Sequence, residues 1–171
     1  MAIYGQGGSY DITMKLDSSL KTTTSQYMCV GMGPGSSTTD TRLVGLCGQT
    51  GTMADATHTA DYCIGIIQSY QSASSEYGTV RLFGVSKATC AESIAAGMYV
   101  MPYFGASTTT MPGRIVSVDS AAANTASAIV ASQIVTILGR ALESGSTGTV
   151  ISVFVNPQMY DRQLVGSINV T

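Results

Sequence analysis

The sequence predicts an all-β domain, a compact barrel or sandwich with an extended arm at its N-terminus. Three observations predict it. A phrase occurs twice: Cys63-Ile64-Gly65-Ile66-Ile67-Gln68-Ser69, a polar loop, then Gly78-Thr79-Val80-Arg81-Leu82-Phe83-Gly84, and later Ile137-Leu138-Gly139-Arg140-Ala141-Leu142-Glu143-Ser144, a shorter loop, then Gly148-Thr149-Val150-Ile151-Ser152-Val153-Phe154-Val155. Each copy reads as strand, polar turn, strand, with a glycine inside the first strand that makes room for another backbone or a bulge. Second, Tyr10, Ile12, Met14 and Leu16 alternate with Asp11, Thr13, Lys15 and Asp17, a strict period of two that gives a strand one apolar face. Third, short apolar runs recur along the chain, separated by Gly, Pro, Ser and Thr.

In chain order, Met1-Ala2-Ile3-Tyr4-Gly5-Gln6-Gly7-Gly8-Ser9 is too glycine-rich to fold alone and reads as an arm in which Ile3 and Tyr4 are apolar anchors. The alternating strand from Tyr10 follows and has no local partner. Tyr27-Met28-Cys29-Val30-Gly31-Met32 reads as a strand ended by the turn Gly33-Pro34-Gly35, and Arg42-Leu43-Val44-Gly45-Leu46-Cys47 as another. Residues 48–61 carry too little periodicity to form an element. The first repeated phrase runs to Val85, with Ser86-Lys87-Ala88-Thr89-Cys90 as a short connection and a strand around Met98-Tyr99-Val100-Met101-Pro102. A turn at Met111-Pro112-Gly113 leads into Arg114-Ile115-Val116-Ser117-Val118. Residues 120–137 are Ala-rich, but the β-branched Ile129, Val130, Ile134, Val135 and Ile137 divide them into a loop or short helix followed by a strand. The second phrase ends at Asn156-Pro157, where proline withholds a ladder donor. The expected organisation is therefore residues 1–22 as arm and docking strand, 23–157 as the β-barrel core and 158–171 as a tail.

At 171 residues, the chain is long enough for one domain to bury roughly 70% of its unfolded surface, so its core needs no disulfide staple. Charged residues make up 11% of the chain, against about 25% in ordinary soluble domains. Its eight Lys and Arg are scattered rather than striped and its net charge is −2, which removes the electrostatic basis for direct nucleic-acid binding. Low charge also leaves little repulsion to oppose self-association. The start has no basic stretch followed by an apolar run, so no signal peptide and synthesis in the cytosol are expected. The most apolar stretch, residues 126–142, is interrupted by polar side chains and is no membrane span. Cys29, Cys47, Cys63 and Cys90 lie far apart with no C-x-x-C pair, so they are expected as buried thiols rather than metal ligands, with one or two disulfides as the alternative that a cytosolic origin disfavours.

Motifs that would carry chemistry are weak. The single histidine, His58, lies between Asp55 and Asp61 in a stretch read as loop, and the ten acidic residues form no close pair in sequence. There is no Gly-x-Ser-x-Gly elbow, and Gly31-Met32-Gly33-Pro34-Gly35 has neither the lysine nor the following helix of a phosphate loop. No enzyme, no cofactor and no metal is expected.

The phrases Val80-Arg81-Leu82-Phe83-Gly84-Val85, Ile94-Ala95-Ala96-Gly97-Met98-Tyr99-Val100, Pro112-Gly113-Arg114-Ile115 and Ile137-Leu138-Gly139-Arg140-Ala141-Leu142-Glu143-Ser144-Gly145, with Gly148-Thr149-Val150-Ile151-Ser152-Val153, resemble the capsid decoration (cement) proteins of tailed bacteriophages. The resemblance covers roughly residues 43–157 and rests on strand-and-turn phrasing. It implies a β-barrel or β-tulip-like protein, commonly a homotrimer, that sits on the outer surface of a phage head, binds the major capsid protein where capsomers meet and reinforces the shell. A tail or fibre subunit is the alternative, and a small-ligand-binding barrel or enzyme a remote one. Within this reading the arm adds itself to a neighbour's sheet, with Ile3, Tyr4, Tyr10, Ile12, Met14 and Leu16 as the partner-binding residues.

Overall fold

The computed structural model describes residues 8–16, 20, 26–32, 43–47, 63–69, 77–103, 111, 113–118 and 134–161. Nine strands are found among them: β1 (Tyr10–Leu16), β2 (Cys29–Met32), β3 (Leu43–Leu46), β4 (Cys63–Ile67), β5 (Tyr77–Thr89), β6 (Tyr99–Pro102), β7 (Ile115–Ser117), β8 (Ile134–Ala141) and β9 (Val150–Asp161). The molecule is all-β, as the turn-separated apolar runs require.

Five of the strands close into a barrel in the order β1-β3-β2-β4-β5, and β5 pairs back onto β1. Only the β1–β3 joint is parallel. Every stave contributes to one buried cluster, Leu16, Val30, Val44, Leu46, Ile67 and Val80 with Leu20, so this cluster is the barrel's interior. A second sheet runs β5-β9-β8-β6-β7, antiparallel throughout, and curls back on itself where Cys90 bridges Ile115 in parallel. Its inner side chains, Val100, Ile115, Leu138, Ile151, Val153 and Val155, form one continuous core with Cys29, Cys63 and Ile66 on the outer side of β2 and β4. Backbone bonds stitch the two parts: the Cys29 N–H donates to the Gly113 carbonyl at 2.6 Å, and the Gly113 N–H to Cys47 at 2.7 Å.

Strand β5 belongs to both parts. Its first half pairs with β1 and β4, its second with β9 from Gly84↔Val155 to Thr89↔Val150. Gly84 stands at the change with φ +103°, and a Cβ there would lie 2.8 Å from the Ser9 Cα, where the chain entering β1 crosses over. The glycines of the repeated phrase do the same job twice. A Cβ on Gly65 would sit 2.1 Å from the Arg81 carbonyl oxygen of β5, and one on Gly139 would sit 1.9 Å from the Phe154 carbonyl oxygen of β9. The register also shifts next to each glycine, at Val30 and Gly31 opposite Gly65 in the β2–β4 pairing and between Ile137 and Gly139 in β8–β9.

Three expectations need correcting. The alternating strand from Tyr10 is not a detached docking arm; it pairs with β5 over six residues and with β3, so a boundary at residue 22 would cut a stave from its barrel. Ser86-Lys87-Ala88-Thr89 is not a connection but the second half of β5. Pro157 does not end β9, which runs on to Asp161. The reason is positional: β5 pairs with β9 no further than Val155, and the β8 ladder is irregular between Val155 and Gln158, so no partner needs the missing N–H. Ile3, Tyr4, His58 and its neighbours, residues 119–133 and the tail from residue 162 lie outside the described residues.

Candidate docking surface

Half of each strand in the second sheet is spent on the core, and the other half should be polar if water covers it. Along β9, Ile151, Val153 and Val155 are buried, which turns Val150, Ser152, Phe154 and Asn156 to the opposite face. The pairing then sets four outward residues in line across the sheet: Val85 on β5 opposite Phe154 on β9, Phe154 opposite Arg140 on β8, and Arg140 opposite Tyr99 on β6. Of these, Val85 is 51% and Tyr99 58% exposed. Phe83 extends the row by meeting Phe154 edge-on, with ring centroids 5.3 Å apart and an interplanar angle of 79°. Tyr10, opposite Phe83 on β1, is exposed too, as are Leu142 and Val150. An outer sheet face built from Val, Phe, Leu and Tyr is what a covered surface looks like, because leaving such side chains in water costs free energy.

The charged groups of this face are held in place. The Arg140 guanidinium lies 5.5 Å from the centre of the Tyr99 ring, and its Nε donates to the Gly97 carbonyl at 2.6 Å. Asp11 and Arg81 form a two-pronged pair, Nε to Oδ1 and Nη2 to Oδ2, both 2.8 Å. Arg81 also donates through Nη1 to the Val85 carbonyl. Hydrogen bonds from Arg81 hold the Asp11 carboxyl below the usual carboxylate range, and its charge adds to the effect. Glu143 accepts the Ser152 N–H at 2.8 Å and faces the Lys87 ammonium at 3.4 Å. The Ser152 backbone and hydroxyl, then Lys87, hold the Glu143 carboxyl low as well. Lys87 Nζ reaches Ser152 Oγ at 2.9 Å, so the pair is anchored to β9. Surface pairs of this kind add little to stability, and their larger effect here is to fix side chains around the apolar row.

The residues expected to bind a partner are distributed differently from the sequence reading. Leu16 is buried, and Ile12 and Met14 pack partly buried against the barrel interior, so these three are core residues; Tyr10 stays on the surface. The sequence reading missed Phe83, Val85, Tyr99, Arg140 and Phe154. Their signal was present: in Val150-Ile151-Ser152-Val153-Phe154-Val155 apolar residues fall on both parities, so the strand needs cover on both faces.

The thiols make a buried group of their own. No disulfide joins Cys29, Cys47, Cys63 or Cys90, and burial pushes the Cys29 thiol up, with a hydrogen bond to Cys63 adding to the effect. Among the described residues no cluster of His, Cys, Asp and Glu is arranged to hold a metal ion, and no helix is long and apolar enough to cross a membrane.

No family model matches the chain, and no curated protein matches it either. Among solved structures, the fold is similar to the head fiber gp8.5 N base of bacteriophage phi29, with a TM-score of 0.43, 11% sequence identity, and coverage of 87% of this chain and 95% of that one.

Proposed function

We propose that the chain is a structural virion protein of a tailed phage that binds the outer surface of the head and joins neighbouring capsomers, acting through contacts with the major capsid protein and without catalysis. The observation that carries this reading is the outer face of the second sheet, where exposed Phe83, Val85 and Tyr99 surround the half-buried Phe154. The phrases that resemble decoration proteins supply part of this face: Val80 to Val85 belongs to β5, Met98-Tyr99-Val100 leads into and begins β6, and Ile137 to Ala141 belongs to β8. The low charge of the chain leaves little repulsion to oppose the homotrimer implied by the same resemblance, and linked copies raise avidity without new contacts.

A cement stabilises the closed shell by the binding free energy that the ruptured shell forfeits. About 1.4 kcal/mol per site already biases the equilibrium tenfold, and many sites act together. Particles that lack the protein are therefore expected to release DNA at a lower temperature than particles that carry it, and the purified chain to co-sediment with bare heads. Equal release temperatures with binding intact would reduce the role to surface attachment. Absence from the head lattice in electron micrographs, with density on the tail instead, would replace the reading with a tail or fibre subunit.

A further inference from the structure

We infer that the outer face of the second sheet docks on an apolar protein surface that places a carboxylate against Arg140. The inference rests on the head-surface reading and names the contact within it. Its basis is the charge pattern of the row. Asp11 is paired with Arg81 and Glu143 with Lys87, whereas among the described residues no carboxylate pairs with Arg140. Arg140 is exposed and stands between Phe154 and Tyr99 in the middle of the line. The face thus offers one uncompensated cation at the centre of apolar neighbours.

The cation is also pre-oriented. Its Nε is committed to the Gly97 carbonyl at 2.6 Å and its plane is carried by the Tyr99 ring at 5.5 Å, so little side-chain freedom is left to lose on binding. Covering Phe154, Val85 and Tyr99 with an apolar surface removes water from the guanidinium, and a buried guanidinium without an anion is strongly disfavoured. A carboxylate in the partner answers that cost with a charge-assisted, directional bond, and aromatic residues around an arginine are the composition found at the centres of protein interfaces.

Two other occupants fit less well. A nucleic-acid backbone presents a row of phosphates, but the neighbouring cations Arg81 and Lys87 are already neutralised by Asp11 and Glu143. A second copy presenting the same face would bring Arg140 toward carboxylates that are likewise engaged with Arg81 and Lys87 of their own chain.

The test uses the full chain and phage heads stripped of it, with binding measured by co-sedimentation over a concentration series. Arg140→Glu is expected to weaken binding at least tenfold, Arg140→Lys to give an intermediate loss because the planar fork is gone, and Phe154→Ser to match Arg140→Glu. Thermal melts of each variant check the fold, and Arg140→Gln replaces Arg140→Glu if the latter melts early. Wild-type binding by Arg140→Glu and Arg140→Gln would overturn the contact while leaving the head-surface reading in place. A shift of oligomeric state in sedimentation with unchanged head binding would overturn it in favour of a self-association face. Failure of the wild-type chain to bind heads would remove the head-surface reading and this contact with it.

Discussion

At the scale of single residues, Gly65 and Gly139 decide how closely two pairs of strands approach. A methyl group at either position would fall about 2 Å from a carbonyl oxygen of the adjoining strand, Arg81 in one case and Phe154 in the other. Backbone cannot give way as a side-chain tip can, so Gly65→Ala and Gly139→Ala are each expected to cost roughly 3 kcal/mol or more, read as a drop in the denaturant midpoint. Gly8→Ala, where nothing lies within 4 Å, is the control and should leave the midpoint unchanged. Equal midpoints for all three variants would show that the close approaches are not what holds the strands. These two glycines were legible in the sequence, because an isolated glycine in an apolar run has few other uses. Arg140 was not: nothing in its neighbours tells that Gly97 and Tyr99, some forty residues earlier, will pin it.

At the scale of elements, β1 shows where sequence pattern stops. Its alternation of apolar and polar residues was plain, and the structure keeps it, with Ile12, Met14 and Leu16 on the side of the barrel interior. Its partners were not legible, since β5 lies more than sixty residues away and register across that distance is set by the assembled core rather than by local spacing. The pattern of a strand that docks on another molecule and of one that closes its own barrel is the same. Deleting residues 1–16 is therefore expected to abolish cooperative unfolding, because it opens β3 and β5 as bare edges and exposes Val80 and Ile67. A truncated chain with a sharp transition near that of the full chain would show that the barrel closes without β1. The length of β9 was hidden for a different reason. Pro157 reads as a stop in any sequence, and only the irregular ladder on one side and the end of β5 pairing on the other make it harmless.

At the scale of the whole molecule, the barrel and the second sheet share one core in which Cys29, Cys47, Cys63 and Cys90 are buried. Those thiols report on whether the two parts open together. With the core continuous, a thiol reagent at neutral pH is expected to label all four in one slow phase that tracks global unfolding, and Cys29, with its ionisation pushed up by burial, has no early route to reaction. A fast fraction under native conditions would mean that the sheet lifts off the barrel by itself. The all-β class was legible from composition and turns, but this sharing was not, because it depends on one strand serving two partners in succession. That strand has a mechanical consequence. A pull applied along β5 at Val85 is resisted by the six-residue ladder to β9 and, beyond Gly84, by the six-residue ladder to β1. Those bonds lie across the direction of pull and are loaded in shear, all at once, instead of being peeled one by one. The outer face of the second sheet is in this way tied in line to the barrel through β1, and a tug on the sheet is borne by both ladders before either can slip.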